Sequence, residues 1–186
     1  MRLFSNLRGK AKTPGPEEAA AELYAYSRID LDVEILPEGA VRCRPSINAN
    51  FKFTRTAIII QWLQKIGKHP LGAANAGAVL KEFENLTFGG FEPKTIASLT
   101  QHLGKLMEIT DEVDAFISER VIPEREAWRR GLDISKRWFE IALDDPDLIA
   151  RATVMYGAEM IFLVHEAMKY IGGLVGNTVF GGGKQR

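Results

Sequence analysis

The chain has 186 residues, with 24 basic and 24 acidic side chains, a formal net charge of zero and 46 % hydrophobic residues. A chain of this length buries roughly 70 % of its unfolded surface and needs neither a disulfide nor a metal to fold. The balanced charge excludes a surface that attracts nucleic acid everywhere, leaves room for a local basic patch, and gives little electrostatic protection against self-association.

The single cysteine, Cys43, rules out a disulfide framework and fits a reducing compartment, so the expected location is the cytoplasm. The basic start lacks the apolar core of about 7–15 residues that a secretory signal needs. Met160 to Val164, the longest unbroken apolar run in the last strong helical pattern, is far short of the ~20 residues of a membrane span. No transmembrane segment is expected.

Residues 1–15 read as a flexible basic arm. Leu3, Phe4 and Leu7 share one side, Arg2, Arg8, Lys10 and Lys12 supply charge, and Thr13-Pro14-Gly15-Pro16 breaks the pattern. Weak peripheral membrane contact by residues 1–12 is the functional reading of that arm. A single α-rich domain is expected over residues 16–176. Pro16 suits a first helical position, Glu17 and Glu18 suit the positive end of a helix dipole, and the helix runs to about Ser27.

The next segment predicts a β-hairpin over residues 31–44. Leu31, Val33 and Ile35 alternate with acids, and Val41 and Cys43 alternate with Arg42 and Arg44. A three-residue loop at Pro37-Glu38-Gly39 pairs Ile35 with Val41 and Val33 with Cys43 on one face. It pairs Glu34 with Arg42 and Asp32 with Arg44 on the other. A lone hairpin is marginal, so Asn50 to Phe53 is the expected third strand.

Helices follow over about 54–66, with Arg55, Ile59, Trp62 and Ile66 on one face, and over about 71–84, where alanines and glycines allow close approach by another helix. Leu86 to Phe91 reads as a loop or short strand. From about 94 to 121, Ile96, Leu99, Leu103, Leu106, Thr110, Val113 and Ile117 are spaced 3, 4, 3, 4, 3 and 4 apart, an a/d seam with one polar position. Pro123 should end or kink that helix. The next spans 124–143. Asp145, Pro146 and Asp147 make an N-cap, a first helical position and a dipole-favoured acid for a last helix over 146–172. Residues 177–186 read as a flexible glycine-rich tail, with Val179 and Phe180 as a docking point. The fold class expected is mainly α, of α+β type: an N-terminal hairpin with helices leading into an antiparallel helical bundle.

Chemical motifs are sparse. The chain carries no P-loop, dinucleotide fingerprint, HExxH, CxxC or nucleophile elbow, and His69, His102 and His165 are too far apart for a local zinc motif. No catalytic residue, cofactor or metal is expected. Three functional readings remain. The first is a non-enzymatic interaction or regulatory protein that packs helices with itself or a larger partner, through Leu99, Leu103, Leu106, Val113 and Ile117. The second is a nucleic-acid-associated regulator using Arg125, Arg129, Arg130, Lys136 and Arg137, interleaved with Trp128 and Trp138, since charge and stacking together hold single strands. A helix-turn-helix around Lys94 to Gly104 is disfavoured, because the heptad runs on through Gly104 and acids follow it. The third is a ligand- or metal-binding enzyme built on a polar strip of the last helix: Glu159, His165, Glu166 and Lys169, with Met155 and Phe162 lying inside the strip.

Overall fold

The computed structural model describes residues 14–30, 45–69, 73–119 and 121–180. Among the described residues there are six helices and no strand: α1 (Pro16–Ser27), α2 (Pro45–Gly67), α3 (Ala73–Phe88), α4 (Pro93–Ser118), α5 (Glu124–Ala142) and α6 (Pro146–Phe180). Over these residues the α+β expectation is corrected to an all-helical class, while the helical bundle holds. The hairpin predicted for residues 31–44 lies outside the described residues, as do the arm up to residue 13 and the last six residues.

The expected third strand is helix. α2 begins at Pro45, and Ile47, Phe51, Thr54 and Ile58 form a continuous buried stripe. Their spacing of 4, 3 and 4 is a helical face. Phe51-Lys52-Phe53 mimics a strand only because three residues are too few to separate period 2 from period 3.6. The loop or strand expected at Leu86 to Phe91 is the last turn of α3 followed by a turn at Gly89-Gly90.

α2 and α6 form the spine. Each contacts the other and all four remaining helices, while α1 pairs with α3 and α4 pairs with α5. Glu112–Arg137 and Glu119–Arg130 run α4 and α5 antiparallel. Ser135 opposite Gly157 and Gly131 opposite Ile161 do the same for α5 and α6. All six helices contribute to one apolar core, including Leu23, Ile58, Phe83, Leu106, Trp138 and Ile171.

α6 is longer than its glycines suggest. Helix continues through Gly172, Gly173 and Gly176 to Phe180 because Ile171, Val175 and Val179 are spaced by four and buried. Asn75 Nδ2 donates to the Val179 carbonyl at 3.0 Å, binding this last stretch to the start of α3. Of the tail expected from residue 177, the first four residues are helix. Gly172 is a packing residue: a β-carbon there would lie 2.8 Å from the Trp62 ring. Gly157 has the same role against Ser135, whose Oγ would be 2.9 Å from a β-carbon and which donates to the Gly157 carbonyl at 2.9 Å.

Candidate functional site

α4 is one unbroken helix through Gly104, so no helix-turn-helix interrupts it. Its a/d seam closes inside the chain. Leu103, Leu106 and Val113 are buried, Leu99 is half-buried, and Ile117 is exposed near the helix end. The polar position Thr110 is satisfied by Gln61 on α2, whose amide nitrogen also reaches the Met107 carbonyl at 3.0 Å. The periodicity thus reports the docking of α4 on α2 and α5.

Two tryptophans on α5 divide its faces. Trp138 is 1 % exposed, and its Nε1 donates to Thr54 Oγ1 at 3.0 Å. Asn50 Nδ2 faces the Trp138 carbonyl at 3.4 Å, which leaves Asn50 Oδ1 to accept from His102 Nε2 at 3.1 Å. Burial lowers the His102 pKa, with Lys105 adding to the effect, so the neutral ring is favoured. Trp128, by contrast, is 64 % exposed.

Trp128 flanks a groove of about 1040 Å³ on the face where α5 and α6 lie side by side. The end of α4 closes it with Phe116 and Ile117. α5 supplies Ala127, Trp128 and Leu132, and α6 supplies Val154, Met155, Ala158 and Phe162. Val154, Met155 and Phe162 are 69 %, 60 % and 61 % exposed. Large apolar side chains gathered in this way on an open surface mark an interaction site more often than scattered ones do. Glu124, Arg125, Glu159 and His165 make a rim of mixed charge.

The basic cluster is largely engaged. Arg137 grips the Glu112 carboxylate with both terminal nitrogens, and this hydrogen-bonded pair lowers the Glu112 pKa and raises that of Arg137. Arg130 pairs with Glu119 at 2.6 Å and stacks on Phe116, and Lys136 lies 3.6 Å from Glu140. Arg125 and Arg129 have no ion pair among the described residues, and Arg125 sits on the groove rim. Trp138 is in the core, so basic side chains and exposed aromatics do not alternate along one face.

The polar strip is split. Glu159 and His165 line the groove, while Glu166 pairs with Lys169 at 3.3 Å one turn away. Among the described residues, no three His, Cys, Asp or Glu side chains converge to hold a metal.

A second polar feature escaped the sequence reading. Arg55, on α2, is only 8 % exposed, with its guanidinium stacked on the Tyr26 and Phe51 rings and donating to the Ile29 carbonyl. Burial lowers its pKa and raises that of Tyr26, which stacks in turn on Tyr170 of α6. This cation pins the end of α1 to the spine. Its position one turn after Phe51 on an apolar stripe was the available signal.

Comparison with known proteins adds no identity: no family model, no curated protein and no solved structure matches the chain.

Proposed function

We propose that the chain is a non-enzymatic interaction or regulatory protein that packs an α-helix into the groove between α5 and α6. The observation that carries this reading is the exposed set Trp128, Met155, Val154 and Phe162 around one open groove. Along α6 the exposed positions Arg151, Met155, Ala158, Phe162, Glu166 and Lys169 are spaced 4, 3, 4, 4 and 3 apart. An α-helix is the complementary occupant, because its ridges and grooves repeat at the same interval. Apolar contact at the centre would give the affinity, and the charged ends would set orientation.

α6 also satisfies the length and composition of a membrane-crossing helix. Its buried stripe, Ala152, Tyr156, Met160, Val164, Ile171 and Val175, is however committed to the core, and a span would require the bundle to open. Packing between proteins uses the exposed stripe and leaves the fold intact.

The test is Phe162→Asp. The side chain is exposed, so circular dichroism and the unfolding midpoint should hold. Association of the full chain, with itself or with a helical partner that survives high salt, should fall by at least about tenfold, since a charge replaces a central apolar contact. Unchanged association in sedimentation and co-purification would remove the groove as the contact surface.

A further inference from the structure

Between Arg151 and Glu166 the exposed stripe of α6 has the same order of charged and apolar positions in both directions. From its middle at Ala158 it meets an apolar residue on each side, Met155 and Phe162. Farther out it meets a charge on each side, Arg151 and Glu166, and the two charges are opposite. Laid antiparallel on a copy of itself, such a helix brings residues whose numbers sum to 317 face to face. Met155 meets Phe162 of the second copy, and Arg151 meets Glu166 of the second copy. Asp147 comes within about one residue of the position opposite Lys169. The two-fold axis then passes between Ala158 and Glu159: the small Ala158 lets the backbones approach, and the exposed Glu159 of each copy flanks the axis.

We infer that the helix received by the groove is α6 of a second copy of this chain, packed antiparallel about a two-fold axis that passes between Ala158 and Glu159. This rests on the helix-packing reading and adds the occupant and the register. A two-fold interface needs one patch that is complementary to itself, and a stripe with apolar centre and opposite charges at equal distances meets that requirement. The groups it needs are accessible. Arg151 is exposed and has no acidic partner among the described residues. Glu166 keeps about half of its side chain exposed beside Lys169. Trp128 stands next to the stripe, so each copy closes an indole over the other's α6, a typical anchor for such an interface. The zero net charge removes any overall repulsion between copies. A parallel arrangement would set Arg151 against Arg151 and Glu166 against Glu166.

Full-length protein is examined by sedimentation velocity across micromolar concentrations, with circular dichroism as the check on folding. The wild type should dimerise. Arg151→Glu alone and Glu166→Arg alone should each weaken the dimer by at least about tenfold, because each places like charges opposite twice per interface. An equal mixture of the two variants should dimerise again, since every 151–166 contact then joins opposite charges. A monomeric wild type overturns the inference and leaves the groove to an external helix, which Phe162→Asp tests separately. A dimer indifferent to both single variants places the interface elsewhere. Variants that dissociate but are not rescued by mixing exclude the antiparallel register.

Discussion

Trp138 and Trp128 lie ten residues apart on α5, about 15 Å along the axis, and their surroundings are opposite. Around Trp138, α2 supplies Phe51, Thr54 and Asn50, so the ring is covered and its one polar atom is bonded. Around Trp128, α4 and α6 form two walls and the third side is open. The residue type is the same and both lie on an amphipathic helix. Whether α2 crosses over the ring decides which tryptophan builds the core and which is left for a partner.

The largest effects should separate these two sites. Trp138→Ala should cost about 3–5 kcal/mol in urea unfolding, from lost burial and the cavity left behind. Trp128→Ala, measured where the chain is monomeric, should stay within about 0.5 kcal/mol of wild type. Equal losses would erase the distinction. The same contrast of covered and open neighbours is available on α6 with smaller side chains. Gly172→Ala drives a methyl into the Trp62 ring and should lower stability by about 1 kcal/mol after the helix-propensity gain is subtracted. Gly173→Ala meets nothing within 4 Å and should raise stability by roughly 0.5–1 kcal/mol. Matching signs for the pair would mean that α6 does not press on Trp62.

The smallest effect is a pH slope on the Trp138 side. His102 has a folded pKa below its ordinary value of 6.5, so the unfolded chain binds its proton first as pH falls. The stability it contributes is present above about 6.5 and is lost as pH drops through that value toward the lower folded pKa. Urea midpoints should therefore decline from pH 7.5 to 5.5 in the wild type and decline less in His102→Gln. An equal slope in both would assign the acid sensitivity to other groups.

Much of the helix order was legible because its signals are local. Pro16 with two following acids marked α1 to its last residue, Ser27. Asp145 caps α6 as its position implied, accepting from the amides of Asp147 and Leu148 at 3.0 and 3.2 Å. The misses came where local signals conflict with packing. Phe51-Lys52-Phe53 alternates over three residues but belongs to an apolar stripe that starts at Ile47. Gly172 and Gly173 look like a helix stop, yet Trp62 needs the space that Gly172 leaves. The groove was half visible. Met155 and Phe162 stood out as apolar residues within a polar strip, but nothing in the sequence joins them to Trp128 and Ile117, which lie on other helices. The most regular seam in the chain, on α4, is by contrast spent inside the fold.

The sequence by itself determined where α1, α4, α5 and α6 start, though not α2, which faces are apolar, and that the chain carries no metal or phosphate motif of short spacing. Those properties depend on capping and on neighbours three and four residues apart. Only the tertiary structure decided which apolar faces are covered. Burial depends on which helix crosses which, and an apolar side chain looks the same in a sequence whether another helix of its own chain lies over it or whether, like Phe162, it is left facing outward.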